Sequence, residues 1–459
     1  MKFQKNIFVL CLFGILNIPL LNHAQNADRA NILIIMTDQQ TADAMSNAGN
    51  SNLHTPAMDK LAQNGVRFTK AYCAQPLCSP SRSAIMSGKM PYETGFIGNA
   101  PEKDGQWPDD LLMMGKIFQN GGYKTGYVGK WHLPVPTSKK SQHGFEYIEN
   151  TNFQDYNDAA TPSFCARFIK ENKNTPFLLV ASFLNPHDIC EWARGEDLKM
   201  DVLENAPSPD QCPPLPANWK IPEYEPKIVR EQQKVSFRTY PSVNWTADQW
   251  RQYRWAYNRL IEKVDSYIEM VLASLKKYGI EKNTIIVFTA DHGDGYAGHS
   301  WNQKQILYEE SAKIPFIISK IGEWKPSTDE MLVCNGTDII PTICGFTGVS
   351  KPSDLKGIDL SKKIANPALK LRDTLVIETD FADNEELLGI SGRAVISKDF
   401  KYIVYNKGDL KEQLFNLTTD PGEITNLAVN KTYRKELLNM RRYLKEWCKK
   451  NSDSFQSGL

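Results

Sequence analysis

The sequence is short of several things that would narrow its reading at once. It has almost no net charge: 54 Lys and Arg stand against 53 Asp and Glu in 459 residues, a formal +1. Nothing global therefore draws the chain to nucleic acid or to an anionic membrane, and an anionic ligand would need a local cluster of cations. No internal repeat or low-complexity tract is present, so no repeat array is expected. The 9 cysteines form neither CxxC pairs nor a dense disulfide framework, which argues against a stapled scaffold. Long apolar runs are also missing, apart from Ile7 to Leu21. Lys2 and Lys5 precede that run and Asn22-His23-Ala24 follows it, the pattern of a secretory signal cleaved after Ala24. It is short for a membrane span and has no second copy, so no stable span is expected and the mature chain is read as periplasmic or secreted. Cys11 follows Leu10, which is too bulky for a good lipoprotein site.

What is present suits one large α/β domain with a smaller partner. Apolar residues make up 41% of the chain and charged residues 23%, as in ordinary globular proteins. In the first half, short apolar runs alternate with amphipathic stretches, which predicts a large, mixed but mostly parallel sheet sandwiched by helices. Asn31 to Met36, Tyr123 to Val128, Phe177 to Phe183 and Thr284 to Thr289 are the buried-strand candidates. Thr55-Pro56 opens a helix that Gly65 stops, and Thr246 caps a long one with an apolar stripe of Tyr253, Tyr257, Leu260, Ile261, Val264, Ile268 and Leu272. Between them, 197–243 is proline-rich and aperiodic, and reads as a surface excursion. Past about 371 the pattern changes to short strands at Thr374 to Ile377, Arg393 to Ser397 and Tyr402 to Tyr405, with a closing helix over Lys435 to Trp447. The domain plan is thus a signal peptide over 1–24, a catalytic α/β domain over 25–370 and an antiparallel-sheet plus helix subdomain over 371–459.

Chemistry concentrates at Cys78-Ser79-Pro80-Ser81-Arg82. Ser79 reads as an N-cap and Pro80 as a first helical residue, which would place Cys78 at a helix N-terminus where free amides favour an anion. Further polar groups directly follow predicted strands: Asp38-Gln39, Gly129-Lys130-Trp131-His132, Asn185-Pro186-His187-Asp188 and Asp291-His292-Gly293-Asp294. In open α/β sheets ligands gather at the carboxyl ends of strands, so all four would meet on one rim. Asp38, Gln39 and Asp291 offer the oxygens that a hard divalent cation needs.

C-x-P-x-R, extended here through Ser87-Gly88 and Pro91, resembles the signature of the type I, formylglycine-dependent sulfatases of the alkaline phosphatase-like superfamily. The resemblance runs from about Asn31 to Leu427, ending in Leu414-Phe415-Asn416-Leu417 and Asp420-Pro421-Gly422-Glu423. It implies that Cys78 is oxidised to formylglycine by a formylglycine-generating or an anaerobic sulfatase-maturating enzyme. It also implies a Ca²⁺ site made by Asp38, Gln39, Asp291, His292 and an oxygen at position 78, with Mg²⁺ or Mn²⁺ as alternatives. Gln39 departs from the family's commoner second Asp and lowers the site's negative charge. Lys304, in Trp301-Asn302-Gln303-Lys304, matches the family's later active-site lysine.

The implied activity is hydrolysis of sulfate monoesters of carbohydrates, from glycosaminoglycan, mucin or algal glycans. Lys130, Lys304, Arg82 and His187 would surround the sulfate with positive charge. His187, with Lys304, would protonate the leaving alcohol, and His132 would take the proton that lets sulfate depart. Asp188 and Asp294 would orient these neighbours. Specificity is assigned to Asn99, Glu102, Trp107, His143, the proline-rich excursion and Arg393, whose guanidinium could take a uronate carboxylate and is otherwise an exposed strand charge. A phosphonate monoester or phosphodiester hydrolase of the same superfamily is the alternative. A choline sulfatase, a carbohydrate-binding relative without catalysis and a thiol enzyme using unmodified Cys78 are further rivals.

Overall fold

A computed structural model describes residues 29–99, 106–151, 156–198, 203–236, 239–383 and 386–458. The expected signal peptide and Glu102 lie outside the described residues. Eight strands build the main sheet: β1 (Asn31–Asp38), β2 (Gly65–Tyr72), β3 (Lys124–Gly129), β4 (Tyr147–Glu149), β5 (Phe177–Pro186), β6 (Thr284–Ala290), β7 (Phe316–Ser319) and β8 (Ser327–Cys334). Their order is β4-β3-β5-β1-β6-β7-β2-β8. β1 pairs in parallel with both β5 and β6, and β7 alone runs against its neighbours.

The continuous apolar run of β1 is explained by burial on both faces. Leu33 and Ile35 join the core under the helices Pro56–Gln63, Thr161–Asn172 and Ala247–Lys277, while Ile32, Ile34 and Met36 join the opposite core under Cys78–Ser87, Met114–Asn120 and Asn335–Thr347. Each such aliphatic side chain contributes about 1.5–3 kcal/mol on full burial. The long helix starts where expected, at a capping box of Thr246 and Gln249. No helix among the described residues is long and apolar enough to cross a membrane.

Four antiparallel strands, β9 (Thr374–Asp383), β10 (Glu386–Ser397), β11 (Phe400–Tyr405) and β12 (Glu412–Asn416), form the second sheet in the order β12-β11-β10-β9. Alternation along β9 divides its two faces. Val376 packs with Leu437, Leu444 and Cys448 of the closing helix Arg434–Asn451, whereas Ile377 and Phe381 pack with Trp301, Leu307 and Tyr308 of the large domain. β9 is thereby pressed against the loop that carries Lys304.

Two expectations are corrected. The excursion contains a helix, Lys227–Val235, whose buried residues are Val229, Gln232 and Gln233; at 9 residues it is short, and two of its three buried positions are glutamine, so it offers few apolar residues to read. The helix behind the C-x-P-x-R segment begins at Cys78 itself, with Leu77 as its N-cap and Ser79 inside the first turn. All eight described cysteines are buried and free, so no disulfide forms among them.

Candidate active site

The sheet topology brings the polar strand ends together. Asp38 ends β1, Lys130 and His132 follow β3, His187 follows β5, and Asp291 and His292 follow β6. Gly129 makes the turn into Lys130 possible. Its φ is +102°, and a Cβ there would lie 1.9 Å from the Ser182 carbonyl oxygen, so no side chain fits.

Arg82, fully buried, sits one helical turn past Cys78 and ties these ends to one another. Its Nε donates to Asp291 Oδ2 at 2.8 Å and its Nη2 to Asp38 Oδ2 at 2.9 Å. Its Nη1 donates to the Lys130 carbonyl at 2.9 Å and to Ser182 Oγ at 2.8 Å. Lys130 Nζ reaches Asp38 Oδ2 at 2.6 Å. Around Cys78 Sγ lie Lys304 Nζ at 2.9 Å, His292 Nε2 at 3.2 Å and Asp38 Oδ1 at 3.7 Å.

Charge is unevenly distributed. Burial works to raise the Asp38 carboxyl, but Lys130 and Arg82 overcome it and hold the group well below the usual range. Asp291 is pushed up to about 6 by burial and by the charge of Asp38. Burial also raises the Cys78 thiol, as does Asp38, yet Lys130, Lys304 and His292 together bring it well below its ordinary value. The environment thus stabilises negative charge at position 78. His187 is lowered to about 4 by burial, Lys130 and Lys304, so without an anion it is neutral at pH 7.

A divalent cation fits this donor set. Oxygens of Asp38 and Asp291, Cys78 Sγ and a His292 nitrogen all lie within 4.8 Å of one another, and all four residues are buried. His292 Nδ1 is 2.8 Å from the Gly293 carbonyl, which makes it the N–H donor and turns the Nε2 lone pair toward the cluster. Two buried carboxylates, one driven up by the other, are the electrostatic condition a cation relieves. Because a proton on Asp291 competes with metal, affinity for a divalent cation is expected to fall by up to about tenfold per pH unit as pH drops below about 6. Calorimetric titration between about pH 5 and about 7.5 checks this; an affinity independent of pH would refute it.

Gln39 sits at the edge of the cluster with a left-handed backbone, φ 68°. Its Nε2 donates to Asp294 Oδ2 at 2.8 Å and its Oε1 accepts from Lys304 Nζ at 3.0 Å. Asp294 is held in turn by the Tyr253 hydroxyl and the amides of Tyr296 and Gln303. Asp188 is buried and lies against Asn185. His132 also has positive φ, 49°, and its buried Nδ1 has no hydrogen-bond partner among the described residues. Asn99 reaches the helix that begins at Cys78, its Oδ1 accepting the Ser79 amide at 3.2 Å.

Three specificity candidates are corrected. Arg393 is 4% exposed; its Nε and Nη2 are paired with Asp453 at 2.8 and 2.9 Å and its Nη1 donates to the Gly392 carbonyl. It is neither an exposed charge nor a free fork for a carboxylate. His143 is buried against Trp131 and Phe145, its Nδ1 accepting the Phe145 amide. Trp107 is buried and stacked on Phe96. Arg393 is taken by a partner 60 residues away, whereas His143 and Trp107 are occupied by near neighbours in the chain, which residue type alone does not reveal.

Sequence pattern places Tyr253 and Tyr257 on an apolar stripe, yet their hydroxyls hold Asp294 and the Gln39 carbonyl, the latter at 2.6 Å. Tyrosine in place of leucine on a buried stripe is the signal, since a buried hydroxyl needs a partner.

Comparison with known proteins agrees with this geometry. The sulfatase family profile matches residues 30–349, and the profile for the C-terminal region of N-sulphoglucosamine sulphohydrolase matches 297–450. A Delta 4,5-hexuronate-2-O-sulfatase from Bacteroides thetaiotaomicron is 29% identical over 451 residues, covering 95% of this chain and 92% of that protein. An ulvan-active sulfatase from Formosa agariphila is 29% identical over 432 residues, covering 87% and 77%. The solved structure of a 2-O GAG sulfatase superposes with a TM-score of 0.81 at 28% identity, covering 93% of both chains. With its strand-end cluster built around Cys78 and its profile match over most of the large domain, the chain belongs to the formylglycine-dependent sulfatase family and is a sulfuric ester hydrolase.

Proposed function

We propose that the protein is an exported, Ca²⁺-dependent sulfatase that removes a sulfate ester from a uronate-containing oligosaccharide, with Cys78 oxidised to formylglycine. The observation that carries this reading is the convergence on Cys78 Sγ of the Asp38, Asp291 and His292 cluster and of the Lys304 ammonium, with His187 close enough to Lys130 and Lys304 to feel their charge. Sγ stands where an oxygen of the modified residue would be. As a hydrate, formylglycine would supply two hydroxyls on one carbon, one to attack sulfur and one whose proton loss expels sulfate. A bound cation would supply Lewis acidity and a template for the sulfate oxygens.

The chain's own groups do the rest. Lys130, Arg82 and Lys304 provide fixed positive charge where the sulfate oxygens gather. His187 donates a proton to the departing alcohol, for which it must first be protonated. An anionic sulfate between it and the two lysines offsets the repulsion that lowers its pKa. His132, with its unpartnered Nδ1, accepts the proton whose loss releases sulfate. The uronate reading rests on likeness to the 2-O-sulfatases, and the maturating enzyme is a required partner on this reading.

Turnover of a panel of 2-O-, 4-O- and 6-O-sulfated disaccharides beside a phosphate diester and a phosphonate monoester tests the proposal. We expect kcat/KM for a 2-O-sulfated uronate disaccharide to exceed that for the phosphodiester by roughly 10³ or more. Preference for the diester or the phosphonate would establish the rival reading instead.

A further inference from the structure

We propose that Gln305 is a positioning residue, through which β9 of the C-terminal sheet holds Lys304 against the reacting group at position 78. The inference rests on the reading of Lys304 given above and adds the device that aims it.

Lys304 lies between two buried glutamines that both adopt left-handed backbone, Gln303 with φ 65° and Gln305 with φ 77°. Non-glycine residues adopt this conformation at a cost and keep it only where surrounding contacts demand it. The contacts differ on the two sides. Gln303 is held by the large domain: its amide donates to Asp294 Oδ2 at 3.0 Å, its Nε2 to the Thr239 carbonyl at 2.6 Å, and its carbonyl accepts the Gly295 amide at 2.7 Å. Gln305 is held by β9: its carbonyl accepts the Thr379 hydroxyl at 2.5 Å and its Oε1 accepts the Ala382 amide at 2.7 Å.

The same strand also reaches the segment leading into the nucleophile. The Glu378 amide donates to the Ala74 carbonyl at 2.9 Å, and the Gln305 amide donates to the Pro76 carbonyl at 2.9 Å. One edge of the small sheet therefore sets the approach of Cys78 and the approach of Lys304 together. At the lysine's own backbone, the carbonyl accepts the Tyr240 hydroxyl and the Trp301 indole, each at 3.2 Å. Its Nζ must nonetheless reach Cys78 Sγ at 2.9 Å and Gln39 Oε1 at 3.0 Å. Released on the β9 side, the kink at Gln305 relaxes and the ammonium swings with it.

Thr379 is the handle for a test, because it is fully buried on the C-terminal sheet and its hydroxyl is the group that fastens Gln305. Thr379→Val removes the hydroxyl at nearly constant volume, Thr379→Ser keeps it, and Gln305→Ala removes the second tie. With formylglycine-bearing protein and 4-nitrophenyl sulfate, kcat is expected to fall roughly tenfold in Thr379→Val and more in Gln305→Ala, with KM changed by less than about twofold. Thr379→Ser should recover most of the rate. In a Lys304→Ala background, Thr379→Val should cause no further loss, since the effect runs through the lysine. Full rate in Thr379→Val and Gln305→Ala beside a slow Lys304→Ala would overturn the positioning role alone. A Lys304→Ala variant with wild-type kcat would overturn the reading of the site and this inference with it. Additive losses in the double variant, or no recovery with serine, would show that Thr379 serves only the packing of the sheet.

Discussion

Cys78→Ala is expected to lower sulfate-ester turnover by about 10⁴-fold or more, with the fold retained. The retained fold follows from geometry. Cys78 is a small, buried side chain at the first position of its helix, and the groups that tie the strand ends together belong to Arg82. The lost rate follows from convergence. Lys304 and His292 come within 2.9 and 3.2 Å of this one side chain, and no other described residue shares that position. Cys78→Ser sharpens the prediction. A serine hydroxyl in the same field can accept sulfate, but its ester has no second hydroxyl with which to expel it. The expected record is a burst of at most about one product per active site, followed by silence. Sustained turnover by Cys78→Ser near the wild-type rate would refute the geminal-hydroxyl chemistry. So would active wild-type protein whose peptide around Cys78 has the unaltered thiol mass.

Arg82→Ala is expected to destabilise the protein by about 3–5 kcal/mol, measured by chemical denaturation in chelator. The guanidinium is fully buried and bridges Asp38 and Asp291, and without it Asp38 is left with Lys130 and Asp291 with His292 alone. Removing one member of a buried charge cluster costs far more than the net worth of the cluster, because the others cannot be hydrated. The pH dependence has a definite sign. Burial works against Asp38 but Lys130 and Arg82 prevail, so its folded pKa is depressed; the stability it contributes is present above the unfolded pKa and lost as pH falls below about 4. Asp291 behaves oppositely in metal-free protein. Raised to about 6, it favours the fold below the unfolded pKa, and that contribution is lost as pH climbs through 6. In Arg82→Ala the gain from Asp38 should shrink and the loss from Asp291 should grow. A variant within about 1 kcal/mol of wild type, with an unchanged pH profile, would remove Arg82 from this role.

Much of the site was legible because strand ends are legible. A continuous apolar run such as Ile32 to Met36 marks a strand buried on both faces, and polar residues stop it abruptly at Asp38-Gln39. The same reading placed Lys130, His187 and Asp291, since parallel neighbours point their carboxyl ends to one rim. The shorter strands were less visible. β2 mixes half-buried and buried residues without a clean two-residue period, and β7 spans only Phe316–Ser319. The helix Lys227–Val235 was lost for the same reason, its buried face being partly glutamine.

Residue type and local order in the chain therefore decided by themselves which groups could do chemistry: the C-x-P-x-R segment, the strand-end carboxylates and the cationic residues. Distance in space decided what each of them is free to do. Arg393 looks like an exposed strand charge, but Asp453, 60 residues on, takes its guanidinium. Tyr253 looks like core until its hydroxyl meets Asp294, 41 residues away. Gln305 looks like a loop residue until β9 fastens it from 74 residues further along the chain. A side chain's type is a local property, whereas its hydrogen-bond partners and its desolvation are set by whatever the fold packs against it, and these fix whether its charge or lone pair is left for a substrate.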